Sequence, residues 1–180
     1  MSHMKYVLTD AETGLNPTVD ELARTIMDRI GLEPRKRGST TLMFQTLLEL
    51  YERSKSANRD KHPENAIVTV EEMAAHAGIS RQTMYEYLRR WLALSLISKS
   101  SYILDGKVII GYRLNGATLE SAFDKAAQRI NNNLDTTMRY VRELQRIIKN
   151  EKIRKAQSPI HDFRESNTEN NNPDSRITEQ

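Results

Sequence analysis

The chain has 180 residues, 38% of them hydrophobic and 28% charged, enough for one ordinary domain with appendages but not for two sizeable cores. It contains no cysteine, which excludes disulfides, thiolate zinc sites and thiol redox sensing, and no apolar run long enough to span a membrane. The net charge is only +3, yet residues 61–116 carry seven basic and five acidic side chains, 117–157 nine and five, and 158–180 two and five, a bias that suits a polyanionic partner.

In chain order, Met1-Ser2-His3-Met4 reads as an expression scar, and residues 1–16 together as a tag remnant and flexible N-terminus. No secretory apolar region follows, so the expected location is cytoplasmic. Thr18 and Glu21 form a capping-box pattern that opens a first helix. Leu22, Ile26 and Ile30 share one of its faces, and Gly31 offers a stop. A basic linker, Glu33 to Gly38, completes the segment 17–38. A second helix is expected from Ser39 or Thr40 to about Ser56, with Leu42, Phe44, Leu47, Leu48 and Tyr51 apolar. Residues 57–65 read as a loop and Ala66 to Thr69 as a small strand.

Thr69 and Glu72 repeat the capping box and open a short helix ending at Ala77-Gly78. Ser80 caps the next helix, which runs to about Leu94. The period then changes from helical to alternating. Leu96 to Leu104 and Lys107 to Leu114 read as two strands joined by the two-residue turn Asp105-Gly106. A single long helix follows from Thr118 to about Gln157, and the Asn-, Ser- and Glu-rich stretch 158–180 is expected to be a disordered tail.

The segment Met73 to Leu88 carries the functional argument. Ala74 is small enough for two helices to cross closely, and Gly78 four residues later supplies a left-handed turn. Ile79 plugs the angle, while Met84 and Leu88 face inward. This segment resembles a helix-turn-helix, and with the hairpin after it residues 39–116 resemble a winged helix-turn-helix domain. The implied fold class is mainly α with a small β-hairpin wing, extended by a long C-terminal coiled-coil helix. The resemblance implies that the second helix enters the major groove of double-stranded DNA.

The implied DNA contacts are Ser80, Arg81, Gln82, Thr83, Tyr85, Arg89 and Arg90, with Lys107 on the wing. Arg81 suits guanine O6 and N7, and Gln82 suits adenine N6 and N7. Arg89 and Arg90, further along, suit phosphate. Glu86 is left out of this set and is expected to pair with Arg90 one turn on. Arg35, Lys36 and Arg37 are weighed as a minor-groove arm against a plain solvated linker.

Along 117–157, Phe123, Ala127, Ile130, Leu134, Thr137, Val141, Leu144 and Ile148 recur at steps of four and three. That heptad seam predicts a coiled-coil homodimer interface; the competing reading folds the helix back on the chain's own N-terminal helix. A two-fold dimer would read two half-sites. A dimerising helix after a wing is similar in plan to PadR-type regulators, which implies a sequence-specific transcription regulator. A partition adaptor or replication initiator, and a winged-helix protein-interaction module, stay open. The sequence shows no catalytic grouping, no metal-ligand spacing around His76 and no cofactor motif, so neither an enzyme nor a cofactor is expected. It names no small-molecule effector.

Overall fold

The computed structural model describes residues 5–34 and 39–157. The proposed arm Arg35, Lys36 and Arg37, residues 1–4 and the tail 158–180 lie outside the described residues. Among those described, the chain is mainly helical, with one two-stranded antiparallel sheet.

The first helix, α1 (Val19–Arg29), begins at the expected capping box. Thr18 Oγ1 accepts from Glu21 N at 3.2 Å, and the Glu21 carboxylate accepts from Thr18 N at 2.8 Å. After its end Gly31 sits at φ 69°, and a Cβ there would lie 2.7 Å from the Val7 carbonyl oxygen. The close approach arises because the preceding coil is fastened to the end of this helix. Thr9 N donates to Arg29 O at 3.0 Å, and the Arg29 guanidinium donates to Ala11 O. The segment taken from sequence as flexible is therefore tied down where it passes α1.

The second helix, α2 (Met43–Asp60), starts later and runs further than its expected bounds. Thr40 does not act as the helix cap. Its hydroxyl donates to the Ala77 carbonyl and accepts from Leu42 N, so a tertiary contact replaces the local one. Residues 57–60, read as loop, extend α2 because Ala57 is buried against the body. A single 3-10 turn (Pro63–Ala66) follows. The small strand expected at 66–69 reduces to one bridge, in which Val68 and Tyr112 exchange both backbone hydrogen bonds at 2.8 Å.

Helix α3 (Val70–Ala77) opens at the Thr69–Glu72 capping box and closes at Gly78, φ 65°. Helix α4 (Arg81–Ala93) is capped by Ser80. Strands β1 (Ile97–Leu104) and β2 (Lys107–Leu114) pair in register from Ile97↔Leu114 to Leu104↔Lys107. Asp105 and Gly106 have φ of 48° and 74°, the positive pair that a two-residue hairpin turn matching strand twist requires. Helix α5 (Leu119–Gln157) has 39 residues. Thr118 and Ser121 exchange side-chain and backbone bonds at its start, each at 3.1 Å.

One core unites α1 to α4 with the base of the hairpin. Met27, Leu32, Phe44, Leu50, Met73 and Trp91 are each 1% exposed or less. Burying each such side chain contributes about 1.5–3 kcal/mol. The N-terminal helix thus joins the same core as residues 39–116. The chain divides between Leu134 and Asp135 into two compact units, so the first turns of α5 belong to the body. The described part of the second unit is the outer length of α5.

Candidate nucleic-acid interface

The α3–α4 corner is held from inside. Met73, Ala74 and Ala77 of α3, and Met84, Leu88 and Trp91 of α4, are all buried. Ile79 N donates to Ala74 O at 3.0 Å across the Gly78 turn. From behind, Thr46 of α2 bonds the Met73 carbonyl. Arg53 reaches Glu49 at 2.7 Å and Glu72 at 2.9 Å, joining α2 to α3. Burial acts to raise the Glu72 carboxyl, but Thr69 and Arg53 outweigh it and hold the group below its ordinary value.

With that inner row fixed, the helical period presents the other side of α4 to solvent. Ser80, Arg81, Gln82, Tyr85, Arg89 and Arg90 are exposed and Thr83 is half-buried. Arg81, Tyr85 and Arg89 form one row at steps of four, and Gln82, Glu86 and Arg90 the next. The Ser80 and Thr83 hydroxyls first serve the helix start. Ser80 Oγ accepts from Thr83 N at 3.2 Å and lies 2.9 Å from Thr83 Oγ1.

One cation has a partner that the sequence did not suggest, and one expected pair does not form. Arg81 is held by Glu71 of α3 at 3.0 Å, and that hydrogen bond keeps the Glu71 carboxyl below its ordinary range. Glu86 and Arg90 form no ion pair with each other. They instead line a cavity of about 370 Å³ together with Lys5, Tyr6, Leu32 and Arg89.

The hairpin adds Lys107 at the start of β2 and Lys99 midway along β1, both exposed. Arg113 is a further exposed cation that sequence reading passed over. Its alternation with buried Tyr112 and Leu114 was the available signal. Tyr112 is buried in the core cluster that also holds Trp91 of α4; burial first, and the charge of Tyr85 second, push its phenol above the ordinary value.

The seam residues of α5 separate into two groups. Phe123 and Ile130 are partly buried against the chain's own core, and Ala127 is exposed beside them. The turns nearest the body bury Ala122 and Ala126 instead. Further out, Leu134, Val141, Leu144 and Ile148 are 46–58% exposed, and Thr137 is exposed too. Met138 and Ile147, adjacent to seam positions, are also exposed and widen the apolar stripe. Within the body, Val19, Leu22, Ile26, Leu48, Leu119 and Phe123 line an apolar groove of about 450 Å³.

No helix among the described residues is long and apolar enough to cross a membrane. No family model matches the chain, and no curated protein or solved structure does either.

Proposed function

We propose that residues 39–116 form a winged helix-turn-helix and that the chain is a sequence-specific, double-stranded-DNA-binding transcription regulator acting as a homodimer, on the plan of PadR-type regulators. One observation carries the reading. The α3–Gly78–α4 corner is locked by Met84, Leu88 and Trp91, and the opposite side of α4 presents Arg81, Gln82, Tyr85, Arg89 and Arg90 to solvent. A rigid helix with a basic, amide-bearing outer face matches what the major groove recognises. Arg81 and Gln82 at its N-terminal end meet base edges. Arg89 and Arg90 meet phosphates, and the wing, with Lys107, lies along the backbone or the minor groove. Pairing of the outer turns of α5 between two copies, at Leu134, Val141, Leu144 and Ile148, supplies the two-fold symmetry.

The test is selection from a random-sequence duplex library, with the enriched pool retested across a salt series. A two-fold motif is expected, with half-sites about 34 Å apart or a multiple of that. The double substitution Arg81→Ala, Gln82→Ala removes the motif but leaves a residual salt-dependent affinity from phosphate contacts. Absence of any enriched motif, with weak and salt-insensitive binding, overturns the reading.

A further inference from the structure

The outer half of the hairpin is apolar where a wing that only rests on phosphates would be cationic. In the observed register Ile97↔Leu114, Lys99↔Tyr112, Ser101↔Ile110 and Ile103↔Val108 are partners, and opposite residues of an antiparallel pair share a face. At the base of that face Ile97, Tyr112 and Leu114 enter the core. Towards the tip the same face leaves the body, with Ile103 75%, Val108 64% and Ile110 54% exposed. Three neighbouring aliphatic side chains on a protruding ribbon are a contiguous patch rather than scattered surface residues. The face is the one whose Tyr112 enters the core cluster that also holds Met84, Leu88 and Trp91 of α4, so the patch continues the face by which the hairpin is seated on the body.

Charge decides the occupant. The hairpin carries Lys99, Lys107 and Arg113 against the single acid Asp105. Two such ribbons repel each other, and Lys99 in the middle of β1 guards its free edge against strand pairing. A polyanion with an apolar interior fits both features. Base steps in the minor groove accept aliphatic wedges between them, at the cost of unstacking, while neighbouring cations hold the flanking phosphates.

We infer that the hairpin tip inserts the cross-strand pair Ile103 and Val108 into the minor groove beside each half-site, opening a base step and bending the duplex. This rests on the DNA-binding reading above and adds to it a deformation component of specificity. Flexible pyrimidine–purine steps at the wing position are favoured because they unstack at lower cost.

The experiment uses the full chain and duplexes carrying the enriched motif, with donor and acceptor dyes at the two ends and 2-aminopurine at the wing-proximal step. The wild-type protein should shorten the end-to-end distance and raise the 2-aminopurine emission. Ile103→Ser with Val108→Ser, at two exposed positions, should abolish both signals, weaken affinity about tenfold and erase the preference for flexible steps. Circular dichroism confirms the fold of the variant. A wild-type protein that binds the motif and leaves the duplex straight overturns the wedge while leaving the DNA reading intact. The same holds if the variant bends DNA normally but shows altered self-association in sedimentation, which makes the patch a protein contact. A wild-type protein that selects no motif overturns the DNA reading itself, and the wedge with it.

Discussion

At the scale of single residues, two positions make sharp demands. Gly111 lies in β2 where the strand passes Val68, and a Cβ there would meet the Val68 carbonyl oxygen and Ile67 Cγ2, each at 2.6 Å. Backbone cannot give way as a flexible side chain can, so Gly111→Ala is expected to destabilise the body by about 1–3 kcal/mol. A lower urea midpoint with an unchanged slope is the outcome to look for. Glu33, half-buried after α1, has its carboxyl pushed by burial from 4.5 up to about 7, with Arg24 opposing and Asp28 assisting the rise. The folded state therefore holds the proton more tightly than the unfolded chain does. The stability this provides is complete below pH 4.5 and is lost as the pH rises through 7. Glu33→Gln should melt above the wild type at pH 8, and the gap should close by pH 4.5.

At the scale of elements, local signals were legible wherever the determinant is local. Both Thr–Glu capping boxes, the Gly78 turn, the Ser80 cap and the Asp105-Gly106 turn are each set within about four residues, and each appears where the sequence places it. The start of α2 was not legible, because Thr40 bonds Ala77, 37 positions away, instead of capping its own helix. Nor was the partner of Arg81. Glu71 is ten residues distant, and only the crossing of α3 and α4 brings the two together. The outward face of α4 was readable from its period, whereas this electrostatic setting was not. Under the DNA reading, Glu71 competes with the duplex for Arg81. An exposed pair of this kind is weak in water, so Glu71→Gln should tighten binding to the enriched motif by up to about fivefold, measured by fluorescence anisotropy at low salt. Unchanged affinity would mean that Arg81 makes no contact that the ion pair restrains.

At the scale of the whole molecule, the heptad pattern of α5 runs without a break, yet its inner and outer turns have different surroundings. Sequence periodicity cannot register that the turns up to about Ile130 already have a surface to pack on. It therefore assigned Phe123 and Ile130 to a partner, although both lie against the chain's own core. Leu134, Val141, Leu144 and Ile148 have about half their surface exposed, and these are the positions that the proposed homodimer uses. Under the homodimer reading, Val141→Glu with Leu144→Glu should leave the body folded and convert the dimer to monomers in sedimentation velocity. The same variant should lose about a hundredfold in affinity for a two-half-site duplex, because the second half-site is then no longer reached intramolecularly. A single half-site should be bound as before.

The tryptophan count has a practical consequence. Trp91 is the chain's one tryptophan. It is 1% exposed on the inner side of α4, and its indole nitrogen donates to no protein group among the described residues. Its emission therefore reports the hydrophobic interior of the body, inner turns of α5 included, while the outer length of α5 contributes to the far-ultraviolet ellipticity. The two signals form a built-in two-channel thermometer. Coincident melting curves would mark one cooperative transition. An ellipticity loss that precedes the fluorescence change, and moves to higher temperature with protein concentration, would mark the outer helix dissociating and melting before the body does.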